Sequence, residues 1–194
     1  MPHMAGRLHA MTRLEPIRPE EQDEEQQALH ASITGGPRAS GPQHFALTTA
    51  DGALTGPFNA FLLSPGLGGA LERLGSAVRY ETHLSARTRE LAILMVATRW
   101  SSAFEWSSHE AVGRAVGVSD SELEAVRRGE VPLLEDEDER AAIELVRCLL
   151  DGDVSDDDWR RWAGPLGHQV VFELCTLVGY YSTLALQLRV FRAG

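Results

Sequence analysis

The sequence predicts an all-α fold, a compact helical bundle. Three observations carry this. Apolar residues recur at three- and four-residue spacing from Leu67 onward. Capping residues, Ser85, Ser119 and Ser155, stand just before the periodic stretches, and Gly117 and Gly129 stand just after two of them. No run alternates apolar and polar residues well enough to make a strand.

Met1 to about Arg18 shows little periodicity and reads as a mobile arm or an edge packed on a neighbour. Pro19 suits the first turn of a helix whose acidic start, Glu20 to Glu25, matches the positive end of the helix dipole and which ends near Ser32. Thr34 to Gly56 is rich in Gly, Pro, Ser and Thr and is expected to be a long loop. The chain therefore divides into residues 1–55, arm, helix and loop, and residues 56–194, a helical domain.

Pro57 opens a short helical piece, Phe58 to Leu63, stopped by Ser64-Pro65-Gly66. The next helix, Leu67 to Tyr80, carries Leu67, Leu71, Leu74 and Val78 at helical spacing. Ser85 caps a helix reaching Trp100, and Ser101-Ser102 marks a bend before a helix that ends at Gly117. Ser119 and Glu122 form a capping box for a short helix closed by Gly129. Asp136 to Leu150 is amphipathic, and Ser155 starts a further helix through Trp159 and Trp162. Gly167 to Phe191 is apolar on more than one face, which predicts a central helix or one buried against another subunit.

A chain of 194 residues is long enough to bury a core without a metal or disulfide staple. Its net charge of −10 argues against nucleic acid and against an anionic membrane surface as partners. Cys148 and Cys175 each lie in an apolar helical pattern and are expected to be buried, reduced thiols. With no signal-peptide pattern and no long uninterrupted apolar run, the expected location is cytoplasmic.

Chemistry concentrates between Arg89 and His109, which reads as two helices in tandem. Glu90 has Ile93, Leu94 and Ala97 on its own face, so its carboxylate lies on or beside the buried stripe. Glu105 and His109 stand one turn apart. Two carboxylates and an imidazole are enough for proton transfer near neutral pH. Blander readings remain: Glu90 paired with Arg87, Arg89 or Arg99, and Glu105–His109 as a surface ion pair. A metal is a third option, although the spacing fits neither HExxH nor ExxH, and His83 and His168 would have to converge by folding. No GxSxG, P-loop, Rossmann fingerprint or CxxC is present.

The run GPFNAFLLSPGLGGALERLGSAVRYETHLSARTRELAIL, then FEWSSHEAVGRAVGVSDSELEAVRRGE, resembles the carboxymuconolactone decarboxylase family of the alkylhydroperoxidase D-like superfamily. The segment VSDDDWRRWAGPLGHQVVFELCTLVGYYSTLALQLRVF looks like that family's C-terminal half. In the peroxidase branch a Glu is followed by Cys-x-x-Cys and then by a His four residues on. Counted from Glu90, the cysteine positions fall on Ser102 and Glu105 and the histidine on His109. Without those sulfurs neither a sulfenic acid nor a disulfide can form there, and the pattern resembles the decarboxylase-like branch.

That resemblance implies a cofactor-independent lyase or isomerase acting on a small carbonyl or lactone carboxylic acid, with no metal and no other cofactor. It implies His109 as proton donor or shuttle, Glu105 orienting and tuning it, and Glu90 as second acid/base or carbonyl polariser. Phe58, Asn59, Trp106 and Tyr180 are the expected substrate-binding residues, and self-association as trimer or hexamer is expected. Two alternatives stand beside it: an alkylhydroperoxidase-type redox enzyme recruiting Cys148, Cys175 or a metal, and a non-catalytic helical oligomer that binds a small molecule.

Overall fold

Helix α4, Ala86–Trp100, is the element on which the others close. Every residue from Glu90 to Ala97 is buried, so its sequence is apolar all round apart from Glu90. The enclosure comes from α5, Ala103–Ala115; α6, Asp120–Arg127; α7, Glu137–Asp151; and α9, Gly164–Phe191, all packed on α4. The structure, a computed structural model, describes residues 12–36 and 46–193. Residues 1–11 of the expected arm, Met1 to about Arg18, and residues 37–45 of the expected loop, Thr34 to Gly56, lie outside the described residues.

Helices α1, Glu24–Gly35; α2, Pro57–Phe61; and α3, Pro65–Tyr80, complete the bundle, with the single turn α8, Asp156–Asp158, leading into α9. Among the described residues the one β-type pairing is an isolated antiparallel bridge between Thr48 and Leu54. The expected all-α fold is thus the observed one. The predicted caps form as well. Ser85 Oγ accepts from the Thr88 N–H at 3.0 Å, and Ser119 accepts from Glu122 while the Glu122 carboxylate accepts from the Ser119 N–H at 2.7 Å.

Three expectations are corrected. Pro19 opens only a 3-10 turn, Pro19–Glu21, because Asp23 and Gln26 form their own capping box and start α1 at Glu24. In α3, Leu67 is 63% exposed and Leu74 39% exposed, while Gly68, Glu72, Gly75 and Val78 face inward. The cause is close packing: a Cβ at Gly68 would collide with the Phe61 carbonyl, so α3 presents its small residues to α2. Cys148 is buried as expected, but Cys175 lies on the exposed side of α9.

A wide π-type turn, Trp159–Ala163, precedes α9, and Gly167 interrupts the helix with φ 79°. This re-aims the following turns across α4 and α7. The segment Asp156–Phe191 contains an 18-residue window whose mean hydropathy, 1.3, matches that of a membrane span. Leu174, Leu177, Tyr181 and Leu184 are buried within the bundle, which is how a core helix acquires that hydropathy.

Candidate active site

Two residues between α4 and α5 set the geometry. Ser101 ends α4 in the left-handed conformation, φ 53°, and the Ser101 and Ser102 N–H groups return to Thr98 O and Ala97 O. Ser102 then caps α5, its Oγ accepting from the Glu105 N–H at 3.4 Å. This folds α5 back on α4, so Glu105 and His109 are buried in the bundle on the side of Glu90.

His109 Nδ1 lies 2.6 Å from Glu90 Oε2, with the two side chains 4% and 0% exposed. On the other edge of the ring, Nε2 faces Glu105 Oε2 at 3.6 Å. The Tyr181 ring stands edge-on to the imidazole, centroids 5.3 Å apart at 90°. Arg89 Nε is 3.6 Å from Glu90 Oε1. Arg87, in contrast, is drawn away to Glu122 and Glu139.

Burial alone would raise the Glu90 carboxyl. The charge and hydrogen bond of His109, then the charges of Arg79 and Arg89, outweigh it and hold the carboxyl below its ordinary value. An ionised carboxylate only accepts, so His109 Nδ1–H donates to Glu90, and Nε2 is the nitrogen left to exchange a proton. Burial pushes the Tyr181 hydroxyl far up, so it stays neutral.

A cavity of ≈ 20 Å³ opens between Phe58, Glu105, His109, Tyr180 and Tyr181. That is room for about one water, so an organic ligand requires side chains or α2 to move. Five of the seven sequence-derived residues gather around the ring of His109: Glu90 beneath Nδ1, and Phe58, Glu105, Tyr180 and His109 itself around the cavity. Asn59 and Trp106 lie outside this lining. Asn59 ties the N-terminal segment to α2, its Oδ1 accepting from Ile17 N–H at 2.9 Å and its Nδ2 donating to Glu15 O at 3.1 Å. Trp106 Nε1 donates to Glu110 at 2.7 Å beneath the Arg127 guanidinium, 4.7 Å from the ring centroid.

Arg79, Ser108 and Tyr181 also line the cavity and were missed. Tyr181 was legible only as one more apolar position of the last helix, and Arg79 only as a cation in the last turn of α3, where the helix dipole favours one. The two carboxylates meet opposite nitrogens of one ring, so they cannot ligate a single ion together with that imidazole.

Fold and site together define an all-helical protein whose central helices hold a buried carboxylate–imidazole pair beside a small cavity. Residues 65–147 match the model of the carboxymuconolactone decarboxylase family. The fold is shared with the solved structure of a variant of the debrominase Bmp8 in complex with 2,3,4-tribromopyrrole, at a TM-score of 0.68 and 10% identity over 95% of this chain and 92% of that chain. A comparison with curated proteins found no match.

Proposed function

We propose that this protein is a cofactor-independent lyase or isomerase acting on a small carbonyl or lactone carboxylic acid, with His109 Nε2 as its proton-transferring atom. The observation that carries this reading is the buried 2.6 Å hydrogen bond between His109 and Glu90. It fixes one tautomer and one ring orientation, and it stabilises the imidazolium whenever Nε2 accepts a proton. Glu90 is thus the orienting carboxylate. Glu105, at 3.6 Å from Nε2, is placed to exchange a proton with the ring or with substrate.

In an isomerisation, Nε2 removes a proton from carbon next to the carbonyl, the electron pair moves onto the carbonyl oxygen, and the proton returns at a conjugated carbon. In a decarboxylation, the bond to the carboxyl carbon breaks, its electron pair moves into the conjugated carbonyl, and Nε2–H protonates the resulting dienolate as CO₂ leaves. Both steps use the same nitrogen. The family match over residues 65–147 and the Glu–His geometry support proton transfer; neither selects the substrate.

The redox alternative is less well supported by the geometry. Ser102 and Glu105 stand at the positions where the peroxidase motif has its cysteines, and neither Cys148 nor Cys175 lines the cavity beside His109. A direct test is a screen of small enolisable carbonyl acids in D₂O, read by proton NMR. Wild-type protein is expected to catalyse deuterium incorporation next to the carbonyl in at least one acid, and His109→Ala to lose it. Exchange that persists unchanged in His109→Ala overturns the assignment.

A further inference from the structure

Proton transfer at His109 uses the charge of Arg79 on Glu90 but none of its N–H donors. Arg79 stands in the last turn of α3 and lines the same cavity as His109 and Glu105. Its Nε is buried and has no hydrogen-bond partner among the described residues. Its nearest interactions are with the Tyr181 hydroxyl, the field of Glu90 and the face of Tyr80, 5.7 Å from the ring centroid. Its charge helps to keep Glu90 ionised, but it forms no ion pair with that carboxylate, whose close cations are His109 at 2.6 Å and Arg89 at 3.6 Å. A guanidinium carries five N–H donors in a planar fork, and a buried donor without an acceptor carries a desolvation cost that a ligand oxygen removes.

We propose that Arg79 is the carboxylate anchor of the cavity. Its Nε–H and a neighbouring N–H hold the two oxygens of a small acid as a fork, with the acid's carbon skeleton lying toward His109 Nε2. Shape favours this ligand, because the guanidinium edge matches a carboxylate in a way an ammonium does not. An arginine on a carboxylate that departs as CO₂ would stabilise the reactant and slow its loss, so Arg79 fits a carboxylate that stays on the product. The anchoring role rests on the proton-transfer reading only for the chemistry after binding.

Equilibrium binding separates the two. Calorimetric titration of wild-type protein with acetate and 2-furoate, each against its neutral amide, acetamide and 2-furamide, measures the preference for charge and the room available. Wild-type protein is expected to bind at least one acid about tenfold or more tightly than its amide. Arg79→Met should weaken the acid by about 10- to 100-fold and leave the amide unchanged, and Arg79→Lys should recover part of the loss. His109→Ala should keep the acid preference while losing deuterium exchange, so loss of proton transfer and loss of anchoring are distinguishable. Equal affinity for acid and amide, no binding of any of the four to wild-type protein, or a preference that survives in Arg79→Met overturns the anchor. If Arg79→Met loses its helical circular dichroism, the wild-type acid-to-amide ratio and Arg79→Lys decide it.

Discussion

His109 Nδ1 and Glu90 Oε2, on different helices and 19 positions apart in the chain, meet at 2.6 Å in the interior of the bundle. The bond joins a carboxylate that is fully enclosed to an imidazole whose other nitrogen faces a cavity. That asymmetry distinguishes it from a surface ion pair, where solvent screens both partners.

The first prediction comes from the asymmetry. His109→Ala should lower turnover of an accepted acid by about 100- to 10,000-fold, the usual cost of removing a positioned acid or base. Glu90→Gln should also be severe, since an amide neither fixes the Nδ1–H tautomer nor stabilises imidazolium. The double variant should be little worse than His109→Ala alone, because residues acting as a unit are not additive. Steady-state kinetics on the acid identified by deuterium exchange provide the check, and a multiplicative loss in the double variant would show the two acting independently.

Stability should respond to pH through Glu90. Its folded-state pKa lies below the ordinary 4.5, so its contribution is fully present above 4.5 and is lost as pH falls through the lower folded value. Over that interval the unfolded chain binds more protons, and stability rises with pH. Chemical denaturation as a function of pH should therefore show a shallower acid slope in Glu90→Gln than in the wild type. Identical slopes would mean that the pair does not hold Glu90 ionised.

Gly56 tests what shapes the cavity wall. It adopts φ 56° just before α2, and a Cβ there would overlap the ring of Phe104, which lines the cavity beside Phe58. Gly56→Ala should cost about 1–3 kcal/mol through backbone strain alone. Adding Phe104→Ala should recover the steric part, so thermal unfolding of the pair should be less destabilised than the sum of the single variants. Strict additivity would place the whole cost in the backbone.

Thiol chemistry should be absent from the reaction. Burial raises the thiol of Cys148, and partial desolvation against the apolar surface of α9 raises that of the more exposed Cys175, which depletes the thiolate at neutral pH. The protein should not reduce alkyl hydroperoxides with a dithiol reductant. Turnover that disappears in Cys148→Ala or Cys175→Ala would restore the redox reading.

Self-association is the last expectation. The outer side of α9 exposes Phe172, Cys175, Gly179, Thr183, Leu186 and Val190 over successive turns, with the charge of Arg189 only at its C-terminal end, and α3 exposes Leu67 and Leu74. A largely apolar stripe of that length is a surface suited to another copy. Light scattering should give a mass of a trimer or hexamer, and Phe172→Glu with Leu186→Glu should lower it. A monomer at micromolar concentration would set this aside.

Local rules reached far into this chain. Caps at Ser85, Ser119 and Ser155 are written in residues within one turn of each other, because a cap is a contact between near neighbours in sequence. Helical period likewise placed Glu105 and His109 on one face, and the family motif placed Glu90 with them. What local rules could not supply was direction. Leu67 and Leu74 have the spacing of a core face, yet Gly68 faces inward because α3 approaches Phe61 of α2 too closely there for a larger side chain. Asn59 and Trp106 have the right type and neighbourhood for a substrate pocket, but their hydrogen bonds go to Glu15, Ile17 and Glu110.

The sequence by itself determined an all-helical chain with a carboxylate and an imidazole on adjoining helices, because helix period and capping are short-range. Only the tertiary structure decided which carboxylate meets which nitrogen. Glu105, one turn from His109, stands 3.6 Å from Nε2, whereas Glu90, on the neighbouring helix, takes Nδ1 at 2.6 Å. The same packing brought Arg79 from α3 and Tyr181 from α9 to the ring. Such contacts depend on helix–helix crossing and depth of burial, which arise from the whole core and are not written in any one segment.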